Sequence, residues 1–231
     1  MPHILVVDDD KEIAGLVEIY LTNEGCRVTK ATAGWEALEI LKNHPVQLLI
    51  LDIMMPGMDG LEVCRRLRRE KNIPIIMLSA KSEEMDKILG LGTGADDYVT
   101  KPFHPMELVA RVKSQLRRYL YLNTQPLDSA PGEQLVRVKG LTMNQATREV
   151  NVFKQPVSLT PTEFDILYLL ASHPRRVFSA EEIFEKVWKE KYYESQNTVM
   201  VHIRRIREKL KHAGEEQFIK TVWGVGYKVE N

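Results

Sequence analysis

The first half of the chain alternates short, continuous apolar runs with longer amphipathic stretches. The apolar runs predict five β-strands, at His3–Val7, Arg27–Ala31, Leu48–Leu51, Ile75–Ser79 and Asp97–Thr100. The amphipathic stretches predict five helices, at Lys11–Glu24, Gly34–Lys42, Gly60–Glu70, Glu83–Leu91 and Pro105–Tyr119. Strands that are apolar along their whole length are typical of parallel sheets covered on both faces. The pattern therefore predicts a doubly wound α/β fold with a five-stranded parallel sheet.

The second half has a different order of elements. Four short β-like pieces come first, at Leu135–Lys139, Leu141–Met143, Arg148–Val152 and Pro156–Val157. Three helical patterns follow, at Pro161–Ser172, Ala180–Trp188 and Gln196–His212, and then a glycine-punctuated hairpin at Phe218–Val222 and Tyr227–Val229. Thr160 with Glu163, and Ser179 with Glu182, have the spacing of capping boxes at the first two helix starts. This order predicts an α+β winged helix.

A polar segment that contains Pro and Gly separates the two halves. It covers Asn123–Glu133 (NTQPLDSAPGE) and has the composition of a linker. The sequence therefore predicts a first domain over residues 1–120, a linker over 121–134 and a second domain over 135–231.

Composition excludes several classes of protein. The 32 Lys+Arg residues balance 32 Asp+Glu; the counts are 16 and 18 up to Leu122, and 16 and 14 afterwards, so bulk charge identifies no partner. No apolar run approaches the roughly 18–20 residues of a membrane span. The first residues lack the basic region of a secretory signal, so we expect a cytoplasmic protein with no membrane association. Cys26 and Cys64 have no metal-ligand spacing and are expected in the core.

Chemically distinctive residues follow four of the predicted strands. Asp8, Asp9 and Asp10 follow the first strand, Asp52 the third, and Ser79 and Lys101 stand at the ends of the fourth and fifth. Parallel strands bring these ends to one edge of the sheet, where ligands bind in open α/β folds. Clustered carboxylates repel one another unless a cation lies among them, and an all-oxygen set favours Mg²⁺. A phosphoryl group on Asp52 would gain a positive charge from Lys101 and a hydroxyl from Ser79.

The motifs around this edge resemble the receiver domain of bacterial two-component response regulators. They are Leu5–Asp10 (LVVDDD), Leu51–Gly60 (LDIMMPGMDG), Ile76–Ala80 (IMLSA), Gly94–Tyr98 (GADDY) and Thr100–Phe103 (TKPF). The resemblance implies a flavodoxin-like fold and a regulator rather than an enzyme. It implies that a sensor histidine kinase phosphorylates Asp52, and that Asp8, Asp9, Asp52 and the Met54 carbonyl hold Mg²⁺. Asp10 lies outside the matched pair and is expected to have a surface role.

The same resemblance implies a switch and a homodimer. In the family, phosphorylation moves the hydroxyl at the position of Ser79 and the aromatic ring at that of Tyr98, reshaping the face around the fifth strand. The charges expected on that face match those through which OmpR/PhoB-type receivers dimerise: Lys87, Asp96, Asp97, Glu107, Arg111 and Arg118. Lys87 would meet Glu107 of a second copy, and the two aspartates would meet the two arginines.

The predicted helix Gln196–His212 has one apolar and one polar side. Val199, Ile203, Ile206 and Leu210 form an apolar stripe expected to face the core. Residues 204–211 contain five basic side chains and one acidic one, expected on the opposite side. A basic helix that faces away from a small core is suited to the DNA major groove.

The second half also resembles a known domain. Leu159–Leu170 (LTPTEFDILYLL), Val201–Leu210 (VHIRRIREKL) and Thr221–Lys228 (TVWGVGYK) are similar to the OmpR/PhoB winged-helix effector, and look most like its VanR-type members. The resemblance implies promoter DNA as partner, with RNA polymerase as a further candidate, and Arg205 and Val201 as base readers. Candidate DNA-backbone contacts are Trp188, Asn197, Thr198, His202, Arg204, Arg207 and Tyr227. Trp223 stands where many relatives carry a wing arginine, so a minor-groove arginine is not implied.

Three other functions share single features with this pattern. An aspartyl-phosphate phosphatase of the haloacid-dehalogenase class needs a second Asp two positions after the nucleophile, and this chain has Met54 there. A dinucleotide-binding domain needs a Gly-rich first turn, whereas the first strand here leads into carboxylates that repel pyrophosphate. A phosphorylation-dependent regulator that acts by protein contact alone stays open on sequence grounds.

Overall fold

The computed structural model describes residues 1–80, 92–121, 135–189, 196–214 and 217–230. The predicted helix Glu83–Leu91 and nearly all of the predicted linker lie outside these ranges. The chain divides into two compact units, Met1–Tyr119 and Leu120–Asn231, each with its own core. No helix in the described part of the chain is long and apolar enough to cross a membrane.

The first unit is built on a five-stranded parallel sheet in the order β2-β1-β3-β4-β5. Its strands are β1 (His3–Val7), β2 (Arg27–Ala31), β3 (Leu48–Asp52), β4 (Ile75–Ser79) and β5 (Asp97–Thr100). Its described helices are α1 (Lys11–Asn23), α2 (Gly34–Asn43), α3 (Gly60–Leu67) and α4 (Pro105–Leu116), with a short π-helix at Arg117–Tyr121. The predicted α/β fold with its parallel sheet is confirmed.

Burial explains why β1, β3 and β4 were predictable from the sequence to within a residue. Every residue of β1, β3 and β4 is buried, as their continuous apolar runs indicate. Helix ends depart more: α3 ends at Leu67, three residues before the predicted end at Glu70. Just beyond this end, Arg68 donates from Nε to the Gly94 carbonyl at 2.8 Å and pairs with Asp96, so its side chain packs inward instead of extending an exposed helix face.

The second unit contains a four-stranded antiparallel sheet, three helices and a hairpin. The sheet strands are β6 (Leu135–Val138), β7 (Leu141–Asn144), β8 (Val150–Val152) and β9 (Gln155–Pro156). The helices are α5 (Pro161–Ala171), α6 (Ala180–Trp188) and α7 (Gln196–His212), and the hairpin pairs β10 (Ile219–Val222) with β11 (Gly226–Val229). The predicted winged-helix architecture and both capping boxes are confirmed.

The core of the second unit forms around the apolar stripe of α7. Val199, Ile203, Ile206 and Leu210 are each at most 1% exposed, as their periodicity predicts. They belong to the same buried cluster as residues of α5 and α6, including Leu167 and Ile183. The orientation of α7 within the unit is therefore set by packing along this stripe.

Candidate functional site

Three carboxylates meet at the carboxyl edge of the parallel sheet. One oxygen from each of Asp8, Asp9 and Asp52 lies within 4.8 Å of the others. Asp8 directly follows β1, and Asp52 is the last residue of β3, so the neighbouring pairing of these strands brings the two together. Asp8 and Asp52 are buried, whereas Asp9 is exposed. The structure thus forms a pocket with two shielded carboxylates and one at the solvent boundary.

Lys101 provides a positive charge at this pocket. Its Nζ lies 2.7 Å from Asp8 Oδ2 and 2.8 Å from Asp52 Oδ1. Burial alone would lower the pKa of Lys101, but its hydrogen bonds to the Asp52 and Asp8 carboxylates outweigh burial and raise the pKa above its usual value. Lys101 therefore stays protonated and offers a fixed charge to any anionic group on Asp52.

The pocket suits a divalent cation. Burial raises the pKa of Asp8, and the nearby charge of Asp52 adds to the rise, while Lys101 opposes it. A cation among the three carboxylates would offset the cost of ionising the buried Asp8 and favour the ionised forms. The ligand set consists of oxygen atoms only, which fits Mg²⁺. Met54 lies in the loop after β3 and is 57% exposed.

The remaining predicted residues of the receiver lie around the same edge. Ser79 ends β4 and is 1% exposed, and its carbonyl accepts a hydrogen bond from the backbone N–H of Lys101 at 2.7 Å. Tyr98, on β5, is 9% exposed and pairs in register with Met77 of β4. Asp10 stands apart from the metal-binding candidates because it caps α1, accepting from the backbone N–H groups of Glu12 and Ile13.

Gly60 contributes to the site, although the sequence motif that contains it gave no indication of its role. A Cβ added there would lie 2.2 Å from the backbone oxygen of Asp52, closer than real contacts allow. The Gly60 N–H also donates to the Ile53 carbonyl at 3.0 Å. Only glycine allows the first turn of α3 to approach the Asp52 backbone this closely, so Gly60 supports the position of the candidate phosphoacceptor.

Two charges that were expected on the surface of the dimer face, those of Asp96 and Arg118, are buried within the single chain. Asp96 is fully buried and binds Arg68 Nη2 at 2.7 Å and the Ile75 N–H at 3.0 Å, so it cannot face a second copy in this conformation. Arg118 is only 3% exposed, which is also inconsistent with a surface charge. Lys87 lies outside the described residues.

The other predicted dimer residues form a connected cluster within one chain. Arg111 Nη1 lies 3.1 Å from both carboxylate oxygens of Asp97. Its Nε and Nη2 lie 3.1 and 3.0 Å from Glu107 Oε1. The Glu107 side chain is 48% exposed and that of Arg111 18%, so the cluster reaches the surface.

The polar side of α7 is also less exposed than predicted. Val201 and Arg205, the proposed base readers, are 5% and 8% exposed, whereas the Arg204 side chain is 80% exposed. Trp188 and His202 are 1% and 0% exposed, with ring centroids 5.6 Å apart. Phosphate contacts by these two rings would require their ring nitrogens to become exposed on binding. The side chain of Asn197 lies outside the described residues.

The burial of Arg205 has a specific cause, which is a carboxylate beneath the helix. Arg205 Nη2 lies 2.7 Å from Glu163 Oε1, and Lys209 Nζ lies 2.6 Å from Glu163 Oε2. Glu163 itself is fully buried. Burial alone would raise its pKa, but the charges of Arg205 and Lys209 dominate and lower the pKa of Glu163 to about 2. Sequence reasoning identified Glu163 as a helix cap and missed this second role.

Further candidate DNA contacts surround the hairpin. Arg207 donates to the Ile219 carbonyl from Nε and Nη2, and to Thr221 Oγ1 at 2.8 Å, so it joins α7 to β10. Its guanidinium lies 5.9 Å from the ring centre of Tyr227 on β11. Thr198 is partly exposed in the first turns of α7. Trp223, in the turn between β10 and β11, is 90% exposed.

Comparison with known families assigns each half of the chain. Residues 4–113 match the model described as "Response regulator receiver domain". Residues 154–229 match the model described as "Transcriptional regulatory protein, C terminal".

Relatives match the chain over nearly its whole length. The "Regulatory protein VanR" of Enterococcus faecium is 48% identical over 229 residues, covering 98% of each chain. Among solved structures, a mutant of RitR has 26% sequence identity and a TM-score of 0.77, with 100% of both chains covered. The response regulator DrrB, described as a Thermotoga maritima OmpR/PhoB homologue, has 31% identity and a TM-score of 0.51 over the same coverage.

Proposed function

Because the chain belongs to the two-component response regulators with an OmpR/PhoB-type DNA-binding domain, we propose that phosphorylation of Asp52 controls its binding to promoter DNA. Its relatives are transcriptional regulators and not enzymes. The observation that carries the phosphorylation proposal is the contact of Lys101 Nζ with both Asp8 and Asp52 beside the exposed Asp9. The proposed phosphodonor is the phosphohistidine of a sensor histidine kinase.

The geometry supports direct transfer to Asp52. A carboxylate oxygen of Asp52 attacks phosphorus, the P–N bond to the kinase histidine breaks, and its electron pair returns to the imidazole nitrogen, which can then take up a proton. Lys101 compensates the charge on the transferred oxygens and holds Asp52 in place through its 2.8 Å contact. Asp8, Asp9, Asp52 and the Met54 carbonyl would hold Mg²⁺, which when bound neutralises charge on the phosphoryl oxygens.

The proposal has a direct chemical test. Incubation of the full chain with Mg²⁺ and phosphoramidate, followed by intact-mass measurement, is expected to show one added phosphoryl group that Asp52→Asn removes. Asp10→Asn is the matched control, because Asp10 belongs to the same acidic run but caps α1 outside the three-carboxylate group. Phosphorylation that persists in Asp52→Asn, or that is lost equally in Asp10→Asn, contradicts the assignment.

Phosphorylation is proposed to produce a homodimer. Arg111 lies on α4 and forms ion pairs within its own chain, with Asp97 of β5 and Glu107 of α4. Rearrangement of Ser79 and Tyr98 around a phosphorylated Asp52 would change the packing around β5. Arg111 could then pair with Asp97 and Glu107 of a second copy, and the number of ion pairs would stay the same. Asp96 takes no part in the proposed interface, because it is held internally by Arg68.

The second unit is proposed to contact DNA through α7 and the hairpin. Arg204, Thr198, Arg207 and Tyr227 have at least partly exposed side chains and remain candidates for backbone contact. Arg205 and Val201 remain candidate base readers only if their surroundings rearrange on binding. Two effectors on a dimer would bind half-sites about one DNA turn apart, roughly 10–10.5 bp. RNA polymerase is a further candidate partner.

A further inference from the structure

The Glu163 carboxylate connects two elements that are distant in sequence. Glu163 lies in the first turn of α5, where Oε2 accepts a hydrogen bond from the Thr160 backbone N–H at 2.8 Å and completes a capping box. The same carboxylate contacts Arg205 and Lys209, which lie one turn apart on α7. One buried group thus caps one helix and anchors another.

Burial strengthens the attraction between Glu163 and Arg205. Glu163 has no exposed surface, and the Arg205 side chain is only 9% exposed, so water screens their attraction poorly. Lys209, with its side chain 30% exposed, adds a second cation on the same face of α7. Two contacts four residues apart restrict rotation of α7 about its axis, in addition to the packing of its apolar stripe.

We propose that Glu163 is a positioning residue for sequence readout, which holds α7, through its contacts with Arg205 and Lys209, at the rotation needed to discriminate among DNA sequences. This inference rests on the proposed DNA-binding function. Glu163 is buried and would not touch DNA; it acts through Arg205 and Lys209. Arg204, on the exposed side of α7, is paired only with the exposed Glu208 in the described structure and supplies attraction that does not depend on Glu163.

The chain contains a matched control for this role. Glu182 occupies the same capping-box position in α6, where it accepts from the Ser179 N–H at 3.1 Å. Its side chain is 42% exposed and pairs with Arg176 and not with α7. Glu163→Gln and Glu182→Gln therefore make the same chemical change in the same motif, but only the first removes charge from beneath α7.

The test is selection of DNA by the full chain, phosphorylated with phosphoramidate and Mg²⁺, from a pool of random 30-bp duplexes. Wild type and Glu182→Gln are expected to enrich the same motif. Glu163→Gln is expected to lose about tenfold or more in affinity for that motif while keeping its affinity for unenriched duplex. Its ratio of specific to nonspecific binding therefore falls, which general loss of folded protein would not cause, because unfolding reduces both affinities together.

The outcomes separate the two proposals. If wild type enriches no motif, the proposed DNA-binding function fails. If Glu163→Gln enriches the wild-type motif with unchanged discrimination, or loses both affinities by the same factor, the positioning role is overturned. Should Glu163→Gln fold poorly, Lys209→Gln removes one of the two contacts with Glu163 and leaves the candidate base readers in place. A fall in its ratio of specific to nonspecific binding supports the role, and an unchanged ratio overturns it.

Discussion

At the scale of single residues, each unit contains a buried carboxylate whose pKa is shifted, and the two shifts have opposite directions. Burial raises the pKa of Asp8 in an acidic pocket where one lysine faces several carboxylates. The charges of Arg205 and Lys209 lower the pKa of Glu163 to about 2 against the cost of its burial. The first site has fewer positive than negative charges and can accept a cation, whereas the charge of the second is already compensated by Arg205 and Lys209.

This contrast predicts acid sensitivity of the second unit. A carboxylate with a lowered folded-state pKa stabilises the protein above its ordinary pKa, and that contribution is lost as the pH falls through the folded value. For Glu163, with an ordinary pKa of 4.5 and a folded value of about 2, we expect a loss of about 3 kcal/mol between pH 4.5 and 2. Asp8 has the opposite sign: its contribution is present at low pH and lost as pH rises.

The measurement is urea unfolding across this pH range, with hydrogen exchange of α5 and α7 peptides to report on the second unit. Glu163→Gln is expected to be less stable than wild type at pH 7 and to lose most of the pH dependence of these peptides. Glu182→Gln serves as the control with an exposed carboxylate. The same pH dependence in Glu163→Gln and wild type would show that other groups cause the acid sensitivity.

At the scale of elements, a cluster of ion pairs centred on Arg111 connects α4 with β5. Arg111→Glu would place three carboxylates together, with Asp97 and Glu107, and is expected to abolish phosphorylation-dependent dimers in sedimentation. Lys113→Glu is the control, because Lys113 lies on the same helix but pairs with Glu24, the residue that follows α1. Dimers of Arg111→Glu that form as in wild type would refute this interface.

Elements were more predictable from sequence than side-chain partners. The buried strands have apolar runs that locate them to within a residue, and Asp8 and Asp52 follow from parallel strand ends. The α7 stripe was readable from its period, but the burial of Arg205 was not. Its partner Glu163 lies on another helix, and such a long-range ion pair leaves no local pattern. Asp96 was assigned to the surface for the same reason, since its partner Arg68 follows α3.

At the scale of the whole molecule, a formal net charge of zero has a functional consequence. Because nonspecific attraction to DNA depends on many phosphate contacts, a neutral chain gains less from it, and joining two effectors by dimerisation contributes more. Phosphorylation of the full chain is therefore expected to raise its affinity for DNA with two half-sites by at least tenfold.

Gel shifts check this expectation on the motif enriched by selection. Paired half-sites about one DNA turn apart should respond to phosphorylation, whereas insertion of about half a turn, roughly 5 bp, should remove the response by placing the half-sites on opposite faces. Asp52→Asn should bind both duplexes like the unphosphorylated protein. A response that is independent of spacing would argue against a dimer on DNA, and no shift of any duplex would favour a regulator acting by protein contact.

The placement of the three tryptophans gives this protein built-in optical reporters. Trp188 is buried against Phe184 in the second unit, with ring centroids 4.8 Å apart, whereas Trp35 on α2 and Trp223 in the hairpin turn are 64% and 90% exposed. Emission from the buried indole will be blue-shifted relative to the other two, and an aqueous quencher will reach the exposed pair first. Replacing the exposed indoles one at a time with phenylalanine would therefore give separate fluorescence signals for the first unit, the hairpin and the effector core without an added label.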